Sequence, residues 1–111
     1  MTNHRKETKE MDNEIIENIL NFEIICMNIF QSHLFVSNIE KHEGIDHVCL
    51  VIDYTEDNAK EKIEGLLQNA GVQYTYIKSD YSNFCDKILF KVSDLESLNT
   101  YLRIKYTDSL I

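Results

Sequence analysis

The chain of 111 residues has no proline and no tryptophan, and only three glycines and three cysteines. With no proline- or glycine-rich stretch there is no linker, and this length fits one domain. Cys26, Cys49 and Cys85 are an odd number and form no Cys-x-x-Cys pair. Each lies in an apolar run, which reads as buried thiols in a reducing compartment rather than a disulfide framework. No stretch reaches the roughly 18–20 apolar residues of a membrane helix. No apolar segment follows the first basic residues at signal-peptide distance, so the expected location is the cytoplasm. Base is scarce as well: 11 Lys and Arg stand against 19 Asp and Glu, a net charge of −8. That argues against direct nucleic-acid binding, because phosphate backbones are held by clustered Lys and Arg.

What is present is the composition of a folded domain, 43% hydrophobic and 27% charged. Residues 1–11 read as a flexible polar tail before a single domain spanning 12–111. From Asp12 to about Ser32, Ile15, Ile19, Phe22, Cys26 and Ile29 recur at helical spacing. The β-branched run Phe22–Phe30 is the competing strand signal. Leu34–Ile39 reads as a short strand and Lys41–Gly44 as a turn. Val48-Cys49-Leu50-Val51-Ile52 is apolar on both faces, as a central strand is. Thr55 is the expected N-cap of a helix carrying Ala59, Ile63, Leu66, Leu67 and Ala70, with Gly71 as its C-terminal glycine. Val72–Ile77 alternates like a half-exposed strand, and Asp86–Val92 is the next one. Ser93-Asp94-Leu95-Glu96 has the form of a capping box ahead of a third helix. Residues 106–111 complete the pattern as a candidate edge strand. The fold class is therefore α+β: an N-terminal helix followed by a ferredoxin-like β-α-β-β-α-(β) layer. The N-terminal helix is expected on the sheet's second face or against another subunit.

No motif in this layout names a chemistry. His33, His42 and His47 lack the spacing that puts two metal ligands on one helix face, so no metal and no cofactor is expected. No glycine-rich phosphate loop and no nucleophile–histidine arrangement exists, and no catalytic residue is assigned. Val51-Ile52-Asp53-Tyr54, a helix, and then Gly71-Val72-Gln73-Tyr74 together resemble small CRISPR-associated ferredoxin-like nucleases. That resemblance implies a metal-binding role for Asp53. The chain departs from the family where a basic surface is needed, since Glu56 and Asp57 are the neighbours of Asp53. At the level of topology the chain is also similar to small regulatory domains that bind a ligand at a subunit interface. Their binding loops have no counterpart here, and fold alone does not give function.

Charge placement is the stronger signal. Residues 12–57 contain ten acids and one base, Lys41, whereas residues 58–111 are balanced at seven of each. Glu14, Glu17, Glu23, Glu40, Glu43, Asp46, Asp53, Glu56 and Asp57 are the candidate acidic surface. Tyr74, Tyr76 and Tyr81 are a candidate aromatic surface, because tyrosine buries area while its hydroxyl stays wet. Within Glu14–Gln31 the polar face is interrupted by Ile24, and Ile25, Cys26 and Met27 make one turn apolar nearly all round. Ile24 and Met27 are therefore expected at a homodimer interface. The expected function is that of a small acidic cytoplasmic binding protein with no enzymatic activity. It would inhibit a basic, nucleic-acid-binding partner by occupying its surface, and it resembles in character immunity proteins, antitoxins and phage anti-defence proteins. A ligand-binding regulatory module and a metal-dependent nuclease are the alternatives.

Overall fold

The computed structural model describes residues 2–80 and 85–106, with side chains described from Asn13 onward. It is an α+β structure, with an N-terminal helix, a four-stranded antiparallel sheet and two further helices. In chain order these are α1 (Thr2–Phe30), β1 (Phe35–His42), β2 (Ile45–Ile52), α2 (Ala59–Asn69), β3 (Thr75–Ile77), β4 (Lys87–Lys91) and α3 (Leu95–Lys105).

Helix α1 holds 29 residues, about 43 Å at the usual rise. It begins at Thr2, ten residues before the start expected from periodicity. No glycine or proline lies within residues 1–30 to stop it earlier. The β-branched run Phe22–Phe30 is helical, because packing of one face outweighs a small propensity deficit. Phe22 shows how: it is fully buried, with its ring 5.6 Å from Phe35 and 5.7 Å from Phe90.

The sheet order is β1-β2-β4-β3, antiparallel throughout. The two apolar strands β2 and β4 are central, and the alternating β3 is at an edge, as their patterns imply. Strand β1 occupies the other edge. Residues 107–111, the candidate edge strand, lie outside the described residues. A two-residue turn joins β1 to β2, with Glu43 at φ 54° and Gly44 at φ 77°. Two left-handed residues give the turn the twist that an antiparallel hairpin requires.

The helices share one face of the sheet. Phe35, Val48, Leu50, Ile52, Ile88 and Phe90 point toward them and form a single core with Phe22, Ile63, Leu67, Leu95, Leu98 and Leu102. The alternate residues, Val36, Glu40, Cys49, Val51, Lys87 and Leu89, turn to the opposite face. Among the described residues no helix covers that face. This corrects the expectation for α1: it lies beside α3 on the covered face, where buried Asn99 donates from Nδ2 to the Asn18 carbonyl at 2.9 Å. The link of four residues, 31–34, turns the chain directly from α1 into β1. Phe22 and Phe35 thereby meet on the same side.

Two caps also differ from expectation. Thr55 does not start α2. Its amide and hydroxyl are taken by Asp53, and the helix begins at Ala59 after a left-handed Asn58. Ser93 and Glu96 form no capping box, since a 3₁₀ turn over Val92–Asp94 runs into α3 without a side-chain cap. The C-terminus of α2 is as expected. Gly71, at φ 73°, donates to Gln68 and Val72 donates to Leu67, the paired bonds of a glycine-terminated helix.

Phe22 joins α1 to β1 and β4, so Phe22→Ala is expected to cost about 3–5 kcal/mol in urea unfolding. Lys62→Ala, at an exposed position of α2, should stay within about 0.5 kcal/mol of the parent.

Candidate functional site

The acidic stretch does not form one face. Eight residues of β2 span about 26 Å and separate Glu43 and Asp46, at the β1–β2 turn, from Asp53, Glu56 and Asp57 at the other end. Glu14, Glu17 and Glu23 lie on α1. Glu40 points from β1 to the uncovered sheet face, 3.3 Å from Lys87 and 3.4 Å from His42. A hydrogen bond from the Cys49 thiol, then the Lys87 ammonium and His42, holds its carboxyl below the usual range despite partial desolvation. Burial first and Glu40 second push the Cys49 thiol up to about 12. These partners commit Glu40 to the sheet.

The end near Asp53 is different. Asp53 Oδ1 accepts the Thr55 hydroxyl at 2.6 Å and the Thr55 amide at 2.9 Å. Those two bonds, with His33 adding a smaller attraction, keep its carboxyl ionised below the ordinary range. The Asp53 amide donates to the Leu34 carbonyl at 2.9 Å and anchors the loop to the start of β1. A further bond, from the Glu56 amide to the Asp53 carbonyl, closes the turn. Residues 53–58 thus form an ordered tip with three carboxylates and no base. Tyr54 stands among them with 85% of its surface exposed. Sequence reasoning passed over Tyr54. The signal was an aromatic residue placed just after a strand that is apolar on both faces, where a core role is already filled.

The candidate aromatic surface divides. Tyr81 lies outside the described residues. Tyr74 and Tyr76 pack against the core. The Tyr74 hydroxyl donates to Glu64 at 3.0 Å and accepts from Gln68 at 2.8 Å, which ties the approach to β3 onto α2. Tyr76 donates to Asp86 at 2.7 Å, while Lys60 sits 4.5 Å from its ring centre. The Tyr76 bond, followed by the Ser79 amide at 2.8 Å, lowers the Asp86 carboxyl.

Ile16, Leu20, Ile24 and Met27 form a stripe along α1, with Ile24 59% exposed and Met27 38%. Leu20, Ile24 and Met27 also line a shallow hollow of about 270 Å³ with Glu23, Asn28 and His33. This places the lower end of the stripe beside the acidic tip, since the Asp53 amide bonds the carbonyl of Leu34, the residue next to His33. The three cysteines are free thiols, with Cys26 and Cys49 buried and Cys85 half-buried. Among the described residues no three His, Cys, Asp or Glu side chains gather as a metal-binding group, and no helix is long and apolar enough to cross a membrane. Compared with family models, curated proteins and solved structures, the chain matches none.

The Asp86 cluster gives a pH dependence. A carboxylate lowered by folding contributes stability above its unfolded value, near 3.9, and loses it as pH falls through the folded value. Asp86→Asn is expected to cost about 1 kcal/mol at neutral pH and to flatten the acid side of the stability curve. Urea midpoints measured from neutral pH down to acid check both effects.

Proposed function

We propose that this chain is a small acidic binding protein of the cytoplasm that inhibits its partner by occupying a basic, nucleic-acid-binding surface. The observation that carries this reading is Tyr54, 85% exposed within a loop of three carboxylates. An exposed tyrosine supplies rigid contact area and a π-face for Arg or Lys. The surrounding carboxylates supply the charge that speeds encounter and selects a basic partner. Asp53 is pre-set by Thr55, so less ordering is lost on binding. The mechanism is competition: Asp53, Glu56 and Asp57 pair with the Lys and Arg that the target uses for phosphates, as immunity and anti-defence proteins do. In this reading the layer from β2 to α3 is ferredoxin-like, with β1 standing where the final edge strand of that topology lies.

A second reading, a regulatory module for a small ligand, is favoured by an open hollow of about 800 Å³ where β3 diverges from β4. Gly71–Thr75, Leu89–Lys91, Ser93 and His47 line it. A shift of several degrees in melting temperature with one nucleotide or amino acid would favour it over inhibition.

Affinity capture from lysate at low salt tests the first reading. The wild type should retain one stoichiometric basic protein that added DNA displaces. Tyr54→Ala combined with Asp57→Lys should weaken retention by about a hundredfold, the size of a lost hot spot. Equal retention by the variant, or retention that DNA leaves unchanged, overturns the proposal.

A further inference from the structure

Two unpartnered features lie on one side of the molecule. The first is the stripe Ile16, Leu20, Ile24 and Met27 on α1. Helix α3 occupies the opposite flank through Asn99 and Asn18. Met27 lies beside Ser32, Leu34 and Phe35, where β1 begins.

The second feature is the outer edge of β1. The two-residue turn makes His42 and Ile45 a hydrogen-bonded pair, so the even-numbered residues of β1 bond β2. The bond from Asp53 N to Leu34 O continues that ladder. Phe35, Ser37, Ile39 and Lys41 therefore direct their N–H and C=O groups outward, and among the described residues no strand receives them. The edge is eight residues long, without bulge or proline, and uncharged from Phe35 to Ile39. Such an edge is a template for another strand.

We propose that a second copy of this chain covers both features around one two-fold axis perpendicular to the sheet. This reading is independent of the inhibitory role. Such an axis pairs β1 antiparallel with its counterpart, keeps all helices on one face of the continued sheet, and sets the two α1 helices antiparallel. A two-fold interface must be self-complementary, and the charges allow it. With Leu20 opposite Ile24 of the second copy, Glu17 meets Met27 and Glu23 meets Asn21. No two carboxylates then face each other. Two apolar stripes of a few hundred Å² and two paired strand edges together bury on the order of 1,200 Å², the lower end of stable interfaces.

Sedimentation equilibrium of the full chain at tens of micromolar tests the assembly. The wild type should be dimeric, and added salt should tighten the dimer, because two copies of charge −8 repel. Salt should act oppositely on capture of a basic partner, which separates the two proposals. Leu20→Glu with Ile24→Glu changes exposed positions only and should weaken the dimer at least about a hundredfold with unchanged circular dichroism. Ser37→Pro removes an outward N–H and leaves the β1–β2 ladder intact. It should weaken the dimer by about tenfold or more. A monomeric wild type, a double glutamate variant as dimeric as the parent, or a Ser37→Pro dimer of full strength overturns the arrangement.

Discussion

The structure depends on Phe22. It is fully buried between Phe35 of β1 and Phe90 of β4, so one ring from α1 spans the sheet from its edge to its second central strand. The short link to β1 makes this possible by folding the chain back immediately after the helix. Once α1 is placed there, the remaining helices must share the same face, and the core becomes one-sided. Among the described residues no further element covers the opposite face. Cross-strand contacts take that place: Glu40 pairs with Lys87 across the face that carries buried Cys49. The sheet's uncovered face is thus held by polar contacts over a narrow apolar strip.

Much of the arrangement was legible in the residues. The run Val48–Ile52 is apolar at every position, and it takes a central place in the sheet as that pattern implies, although only one of its faces is covered by helices. Gly71 ended α2 because an unstrained left-handed residue is needed there. The caps were less legible. Thr55 has the right chemistry for an N-cap, but Asp53 competes for the same groups from two residues away, and a local turn wins over the helix start. Ser93 and Glu96 satisfy a spacing rule that a 3₁₀ turn makes irrelevant. The position of α1 was not legible either, because periodicity identifies an apolar stripe without saying which sheet face receives it.

The same limit governs the acidic residues. Their clustering between 12 and 57 is a property of the chain, whereas a surface is a property of the fold. Strand β2 carries the chain across the molecule between Asp46 and Asp53, and divides one sequence cluster into separate groups. Glu40 is then drawn into a structural pair with Lys87. The tip at residues 53–58 holds three carboxylates in one loop, and it gains exposed Tyr54, which composition alone had not marked.

Helix α1 carries two apolar stripes rather than one. Ile19, Phe22, Ile25 and Cys26 are buried in the core, while Ile16, Leu20, Ile24 and Met27 follow the adjacent flank and stay in water. The near-continuous apolar turn around Ile25 is where the two stripes overlap. A helix serving only one sheet needs an apolar arc of about 100°; the additional flank stabilises nothing within the described chain. It carries large side chains at successive turns where polar residues would cost less exposed apolar area. The core stripe accounts for the fold, and the outer stripe lies exposed on the flank of α1 beside the open edge of β1.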